Sequence, residues 1–539
     1  MKQIGFNNFR KFEKFPTIEL APITFFVGEN NAGKSTVVKG ILALSEFFNK
    51  NMFDEDRFLM SEDISNKSQQ EKKRMVVANL KSQKFYFNSS YFAHIGTFKR
   101  ALYNKAKDSV ISFYTTLDHG DFTIEVVGDR NDEERVSGII SRILIDYRML
   151  GLHIEFDLQN DKANVQLDPV KTTEDQLDFL PPKMRKSTIE FLGSMARSYS
   201  LSFDISDYYR RFVPDLIFLL KACVEIALSA TMEPEKTVKH IGSEVLLDLK
   251  PIDNVDNDVI EFLKEYTAHI SPADRSKEWM FLLPDTEFMF NRYFRIEYLY
   301  AHAVTQTVLY SAKDSNDYLS RTIHEFASLS KTEDDYRKRF ITKWMKELRI
   351  GEDYQIKSVG GEAHIVKIKN SDGDFVNLAD KGMGTIQLMV LLFRLAITLP
   401  KEVRNSNKSK KKPYFANALT IIIEEPEQNL HPMLQSKLAD LFYELNDKYG
   451  LRFIIETHSE YLIRETQVIV GDRFKNKDTD EFISENPFKV FYFPADRAPY
   501  DMGYMSSGLF KEKFGDGFIN EAGRLHMTVL KNSQTTNNV

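Results

Sequence analysis

Apolar residues near the two ends of the chain form short, nearly continuous runs. Three such runs are residues 23–27, 419–423 and 451–455, and each is rich in Ile or Phe. An almost unbroken apolar run of this length predicts a strand that is buried on both faces, as in a parallel sheet. Residues 76–170 differ, because short strand-like runs such as 122–127 alternate there with polar turns. This pattern predicts a second group of strands.

The middle of the chain shows helical spacing. Residues 217–228, 259–267 and 318–327 repeat apolar positions three and four apart, which predicts helices that bury one face. No heptad repeat is sustained, so the pattern argues against a long coiled coil and favours a helical bundle or a short arm. A strongly apolar helix is also predicted at residues 388–399.

A glycine-containing segment follows the first buried strand and precedes a helix. Its residues fit the phosphate-loop pattern G-x-x-x-x-G-K-[ST]. In such a loop backbone N–H groups surround a polyphosphate, the lysine reaches the β- and γ-phosphates, and the hydroxyl binds Mg²⁺. A chance glycine turn is the alternative, and the order of strand, loop and helix disfavours it. The predicted residues for binding ATP are Gly28, Asn30, Asn31, Ala32, Gly33, Lys34, Ser35 and Thr36.

The second buried run ends in three carboxylates. Glu424 and Glu425 follow the run directly, and Glu427 comes after a proline. A parallel strand that ends in acids delivers charge to the carboxyl edge of its sheet. We therefore predict Glu424 as a ligand in the Mg²⁺ shell and Glu425 as the base that polarises the attacking water. The alternative is a strand followed by an acidic turn of no catalytic role.

The third buried run ends in Thr457, His458 and Ser459. A histidine at the tip of a neighbouring strand lies within reach of the γ-phosphate, so we predict His458 as a catalytic sensor of that phosphate. A surface histidine without such a role is the simpler alternative.

These segments together resemble the ABC-type ATPase heads of the SMC, RecF and OLD group. The resemblance is carried by residues 6–12, 27–36, 424–432 and 456–459. More closely, the segments are similar to stand-alone AAA-family ATPases of bacterial anti-phage systems, namely the Septu ATPase and its retron-associated relatives. One departure is Glu424, because the wider group usually has Asp at that position.

The resemblance implies a signature loop that acts on the ATP of a second subunit. Gly382 and Gly384 stand just before the apolar helix, where two glycines can form a backbone nest for an anion. Met383 replaces the serine of the family pattern, which leaves the backbone role intact. The alternative is a glycine-containing helix cap. A signature loop acting in this way implies a homodimer of heads or a larger assembly.

The resemblance also implies that a basic residue after the first strand touches the nucleotide. Arg10 is the predicted residue, and Lys11 is a second candidate. Either residue would contact the α-phosphate or the base. An ordinary surface charge is the alternative for both.

The predicted fold is an α/β P-loop head of ABC type, a mixed sheet with an antiparallel layer, split by a mainly helical insertion. Residues 1–170 form the N-terminal lobe with the phosphate loop, and residues 171–350 form the insertion. Residues 351–470 form the C-terminal lobe with the signature, the acidic strand and His458. Residues 471–539 are predicted to be a docking or structural segment.

The composition of the chain indicates its compartment and the kinds of partner it could contact. The chain has 539 residues, a net charge of −6 and one cysteine, Cys223, which favours a reducing, cytoplasmic compartment. Its apolar runs are shorter than a membrane span, so no membrane partner is predicted. Residues 405–413 carry four lysines, Lys408, Lys410, Lys411 and Lys412. They are either a solvated loop or a contact to nucleic acid.

Two classes of function remain open. The first is an ATPase that dimerises through its heads and controls a separate effector, an HNH-type nuclease, in anti-phage defence. The second is a RecF-like or SMC-like repair ATPase that binds DNA itself. An OLD nuclease would carry a TOPRIM domain after His458, with a Glu-Gly motif and paired aspartates, and no Glu-Gly motif follows His458 in this chain. A nuclease within the helical insertion is a third, weaker alternative, because no metal-ligand cluster is evident there.

Overall fold

The computed structural model describes residues 2–53, 81–87, 94–116, 120–147, 151–167, 199–204, 295–299, 307–311, 318–329, 336–399, 419–474, 481–483, 486–515, 518–519 and 521–536, with single positions between 68 and 78. These residues form two compact units. The first unit contains Met1–Leu20 and Thr36–Arg295, and the second contains Ala21–Ser35 and Ile296–Val539. The chain therefore enters the second unit only for β3 and the phosphate loop before it returns to the first.

An antiparallel sheet of nine strands dominates the first unit. Its order is β10-β9-β8-β7-β6-β5-β1-β2, with β4 paired to β7. Every second residue of β6 is buried, which is the pattern of a strand with one face on a core. The strands are β1 (Gln3–Phe9), β2 (Phe12–Glu19), β4 (Lys84–Tyr86), β5 (Val110–Thr116), β6 (Asp121–Val127), β7 (Ser137–Tyr147), β8 (Leu152–Asp157), β9 (Lys162–Leu167) and β10 (Tyr199–Asp204).

The core of the first unit is rich in phenylalanine. The ring of Phe113 lies 5.2 Å from that of Phe9 and 4.9 Å from that of Phe85. Helix α1 (Lys34–Phe53) packs closely here, because a Cβ at Gly40 would lie 2.5 Å from the Phe6 ring. A short helix, α2 (Phe98–Ala101), is capped by the Thr97 hydroxyl.

A mixed sheet of six strands forms the second unit. Its order is β11-β16-β17-β3-β19-β20, and all neighbours are parallel except β19 and β20. The three apolar runs recognised in the sequence are β3, β16 and β17, and all of their apolar residues are buried. The strands are β3 (Ile23–Gly28), β11 (Ile296–Leu299), β16 (Thr420–Glu424), β17 (Arg452–Glu456), β19 (Phe488–Phe493) and β20 (Tyr500–Asp501).

Helices and short strands complete the second unit. A small antiparallel sheet has the order β12-β14-β13, with β15 paired to β14, and β18 pairs with β21. The small strands are β12 (Tyr310–Ser311), β13 (Asp353–Val359), β14 (Ala363–Lys369), β15 (Phe375–Asn377), β18 (Phe482–Ile483) and β21 (Tyr504–Met505). The helices are α3 (Tyr318–Ser328), α4 (Tyr336–Glu347), α5 (Met383–Thr398), α6 (Pro432–Tyr449), α7 (Glu460–Phe474) and α8 (Glu521–Thr536).

Helix α5 lies at the centre of the second core. Ten of its residues are buried, so it is a buried helix and not an amphipathic one. One of these residues is Arg394, whose guanidinium pairs with Glu297 of β11 and Glu325 of α3. The ion pairs therefore join an edge strand and two helices.

The structure confirms the α/β head with a mixed sheet and an antiparallel layer. It also confirms the helix expected at residues 318–327, which is α3. The helices predicted at 217–228 and 259–267, and the lysine-rich segment 405–413, lie outside the described residues. Within the predicted C-terminal segment, β19 is a full member of the six-stranded sheet beside β3. No described helix is long and apolar enough to cross a membrane.

Candidate nucleotide site

The phosphate loop connects the end of β3 to the start of α1. Gly28, Asn31 and Gly33 have φ angles of +130°, +58° and +110°, which curl the backbone between strand and helix. Gly28 has a second reason to be glycine, since a Cβ there would lie 2.3 Å from the carbonyl oxygen of Phe493. The loop is therefore shaped partly by β19, which passes directly beside it.

Lys34 is buried in this loop with 4% of its surface exposed. Its ammonium donates hydrogen bonds to the carbonyl oxygens of Gly28 at 3.0 Å and Glu29 at 2.9 Å. Burial lowers the pKa of Lys34, and nearby carboxylates, chiefly Glu456, oppose that shift. The lysine thus closes the loop on itself and holds a cation where a phosphate would enter.

The acidic ends of β16 and β17 meet beside the loop. Glu424 and Glu456 are direct register partners on these parallel strands. The Ser35 hydroxyl donates a hydrogen bond to Glu456 Oε1 at 2.9 Å. Sequence reasoning named Glu424 for the metal shell and missed Glu456 as a site residue. The same signal could have found it, because Glu456 also ends an almost unbroken apolar run.

Glu456 is a buried carboxylate that its neighbours compensate only in part. It is 6% exposed, and its Oε2 atom has no hydrogen-bond partner in the described part of the chain. Burial, with the neighbouring charges of Glu424 and Glu425, raises the pKa of Glu456 to about 7 against the opposite effects of Ser35 and Lys34. The nearby cation and hydroxyl therefore compensate this buried acid only in part.

Glu425 occupies a strained turn immediately after β16. Its φ angle is +45°, and its N–H donates to the Glu456 carbonyl oxygen at 2.7 Å. The amide of Gln428 donates to Glu425 Oε2, while Glu425 Oε1 lies 3.9 Å from His458 Nε2. Burial and the charge of Lys34 lower the pKa of His458, which keeps the imidazole neutral at pH 7. The structure thus brings together the predicted base and the predicted sensor.

Glu427 fixes the backbone of the sensor strand end. It is 8% exposed, and its Oε1 accepts the backbone N–H of His458 at 2.7 Å. Burial raises the pKa of Glu427, and the hydrogen bond from His458 acts in the opposite direction. Glu427 therefore links the loop that follows β16 to the residues that follow β17.

A comparison with protein-family models finds a match that covers most of the chain. Residues 1–463 match the model described as an AAA ATPase domain. The chain belongs to the AAA ATPase domain family. ATPase activity and nucleotide binding follow from that membership, and Mg²⁺ is the usual metal of such domains. A comparison with curated proteins finds no match.

This AAA ATPase also shows similarity to solved structures of SMC heads. One is the Smc head domain with an extended coiled coil bound to the C-terminal domain of ScpA from Pyrococcus furiosus, with 12% identity, 99% of each chain covered and a TM-score of 0.32. Another is the SmcHead bound to the C-winged helix domain of ScpA, with 10% identity, 94% of this chain and 98% of that chain covered and a TM-score of 0.32. Both TM-scores are low, so the assignment of the family depends on the match to the family model.

The two glycines of the predicted signature have different surroundings in this AAA ATPase. Gly382 is exposed, and a Cβ there would meet nothing within 4 Å. A Cβ at Gly384 would lie 2.5 Å from the carbonyl oxygen of Asn429, so this glycine is required by the acidic loop beside α5. Gly382 is therefore the N-cap with open space around its backbone, and Gly384 is a packing position.

Arg10 and Thr36 belong to the first unit, whereas Gly28 to Ser35 belong to the second. Arg10 lies in the turn between β1 and β2 with a φ of +52°, and its N–H donates to Ala101 at 2.6 Å. Burial and the nearby Arg100 lower the pKa of Arg10. Its contact with a nucleotide stays a prediction.

The residues at this sheet edge fit a magnesium ion. Mg²⁺ is bound in such enzymes by one or two carboxylates together with substrate phosphates and water. Ser35 supplies a hydroxyl, and Glu424 and Glu456 supply carboxylates. Among the described residues no group of three or more His, Cys, Asp and Glu could hold a metal alone.

Proposed function

We propose that this AAA ATPase is a regulatory subunit whose two heads engage on ATP and thereby control a separate HNH-type nuclease in bacterial anti-phage defence. The observation that carries the ATP site is the meeting of three strand ends, β3, β16 and β17, at one sheet edge. Control of a nuclease is supported by the resemblance of the motifs to Septu and retron-associated ATPases.

Each residue at the edge has a proposed part. Lys34 exchanges its two carbonyl partners for phosphate oxygens, and the backbone of the exposed residues Asn30 and Asn31 binds the same anion. Mg²⁺, when bound, neutralises phosphate charge and polarises the phosphoryl group. Glu424 belongs to its shell. The exposed backbone around Gly382 suits the proposed contact with the ATP of a second head.

Glu425 is proposed as the base for the attacking water. Gln428 holds one of its carboxylate oxygens, so the other faces the neutral His458 and is free to accept a proton from water. In this proposal a neutral His458 imidazole can donate a hydrogen bond from Nε2 to an oxygen of the γ-phosphate. The strained φ of Glu425 fixes this arrangement in advance of binding.

The phosphate loop is tested by Lys34→Ala. We expect the variant to lose ATP binding, measured by isothermal titration calorimetry, because the loop then lacks its cation. Lys39→Ala, five residues along α1, is the matched control and should bind ATP as the wild type does. ATP affinity that is unchanged in Lys34→Ala would contradict the assignment.

The base is tested by Glu425→Gln. We expect steady-state hydrolysis to fall by about 10²–10⁴-fold, the usual contribution of a general base, while ATP binding is retained. Size-exclusion chromatography with light scattering should then show an ATP-dependent dimer that persists. Normal hydrolysis by this variant would move the role to Glu424 or Glu427.

The effector is tested with the same variant, tagged and expressed from its native operon. Co-purification with a stoichiometric small nuclease, identified by mass spectrometry, is the expected result. Recovery of DNA without any protein partner would instead support the repair function.

A further inference from the structure

We propose that Glu456 is a second carboxylate of the magnesium site, holding the Ser35 hydroxyl through Oε1 and the coordination shell of Mg²⁺ through Oε2. This inference rests on the proposed ATP site and goes beyond it, because the acidic strand alone would assign the metal to Glu424. In this inference the carboxylate that contacts Ser35 of the phosphate loop is Glu456, at the end of β17, and not Glu424, at the end of β16.

The first support is the position of the Ser35 hydroxyl. A serine that ligates Mg²⁺ does so with a lone pair, so its proton must be given to another acceptor. In this structure the acceptor is Glu456 Oε1 at 2.9 Å. The hydrogen bond therefore occupies the hydroxyl proton of Ser35 and leaves its oxygen lone pairs available for a metal ion.

The second support is the unsatisfied half of the same side chain. Glu456 Oε2 is buried without a hydrogen-bond partner among the described residues, on a side chain that is more than nine-tenths buried. A buried carboxylate is costly unless a cation or several donors compensate it. The nearest cation, Lys34, gives its hydrogen bonds to backbone carbonyls instead. One buried oxygen of Glu456 is therefore left without a hydrogen-bond donor among the described residues.

The third support is the contrast with Glu427. That carboxylate is buried to the same degree at the same sheet edge, and its Oε2 also has no hydrogen-bond partner among the described residues, but its Oε1 accepts the backbone N–H of His458 and it makes no described contact with Ser35. Burial alone does not distinguish the two acids. The contact with the phosphate-loop serine does, and it makes Glu427 a matched control.

The test is the dependence of ATP affinity on Mg²⁺. Dissociation constants for ATP are measured by titration calorimetry in excess Mg²⁺ and in EDTA, for the wild type, Glu456→Gln, Glu456→Asp and Glu427→Gln. Loss of an outer partner of a metal ligand typically costs about 10–100-fold in metal affinity. We expect the stimulation of binding by Mg²⁺ to fall by this factor in both Glu456 variants, and to persist in Glu427→Gln.

The two variants of Glu456 separate charge from position. Aspartate keeps the charge but is too short to reach Ser35, and glutamine keeps the length but loses the charge. Binding of Mn²⁺ with ATP, followed by electron paramagnetic resonance, gives a second readout that does not depend on hydrolysis. Thermal unfolding in EDTA confirms that each variant is folded.

Each result has one meaning. Full stimulation by Mg²⁺ in Glu456→Gln overturns the inference and leaves Glu424 as the carboxylate of the site, while the proposed function stands. An equal loss in Glu427→Gln also overturns it, because the effect would then be general to buried acids at this edge. A wild-type protein that does not bind ATP overturns the proposed function itself.

Discussion

Two groups of charged side chains in the second unit are built on opposite rules. Around Arg394, one buried guanidinium meets two carboxylates, and each charge has an opposite partner. At the sheet edge, the carboxylates of Glu424 and Glu425 raise the pKa of Glu456, and Lys34 is the cation that lowers it among the described residues, beside a histidine with a lowered pKa. We call the first group balanced because each of its charges contacts an opposite one, so that removing one partner is costly, whereas an unbalanced cluster of buried acids with few cations is typical of a site that binds a charged ligand.

The pKa of Arg394 illustrates the balanced group. Burial alone would lower this pKa, but Glu297, Tyr318 and Glu325 outweigh burial and raise it. At Glu456 burial and like charges act in the same direction. The contrast explains why one group joins β11, α3 and α5 into a core, while the other borders the phosphate loop.

The largest effect is expected when the balanced group loses its cation. Arg394→Met should lower the free energy of unfolding by about 3–5 kcal/mol, because the largely buried Glu297 is then left without its cation, while the more exposed Glu325 adds little to the loss. Urea denaturation followed by circular dichroism measures the change. Arg464→Met is the control, since Arg464 forms an exposed pair within α7 that is worth about 0.5 kcal/mol or less. A loss below about 1 kcal/mol for Arg394→Met would show that the group is not structural.

A smaller effect is expected from the pH dependence of the unbalanced group. The pKa of Glu456 is about 7 in the fold, above the ordinary carboxyl value of 4.5. The folded protein therefore binds more protons than the unfolded chain between these values, and its stability falls as pH rises through this window. Between pH 5 and pH 8 in EDTA the loss attributable to Glu456 should be about 2–3 kcal/mol.

Glu456→Gln isolates this contribution. The variant has no proton to lose at that position, so its stability should exceed that of the wild type at pH 8 and match it near pH 5. Thermal melts at both pH values, in EDTA, measure the difference. Identical pH profiles for the two proteins would mean that Glu456 is compensated in solution.

Sequence reasoning was strongest where local pattern and site coincide. The apolar runs of β3, β16 and β17 are continuous because both faces are buried, and each ends directly in the residues of the site. The phosphate loop was recognisable for the same reason. Helices α3 and α5 were also predicted, since their apolar spacing covers more than two turns.

Features that depend on pairing distant segments were not predicted. Strand β19 lies more than four hundred residues after β3 in the chain, yet its Phe493 sets the need for Gly28. The contact of Ser35 with Glu456 depends on the register of β17 against β16 and β3, which no local pattern encodes. The partners of Arg394 come from two other elements in the same way.

The smallest effect on the free energy of unfolding is expected for Glu325, the more exposed of the two carboxylates that pair with Arg394. The side chain of Glu325 is 44% exposed, whereas that of Glu297 is 20% exposed and holds two nitrogens of Arg394. Water can replace an exposed partner, so Glu325→Gln should cost less than about 1 kcal/mol. Glu297→Gln should cost about 1.5–3 kcal/mol, as expected for a hydrogen bond to a buried charge. Urea denaturation of both variants shows which substitution lowers the free energy of unfolding more. If Glu325→Gln proves the more costly, the guanidinium is balanced chiefly from α3, and β11 is only a neighbour of the group.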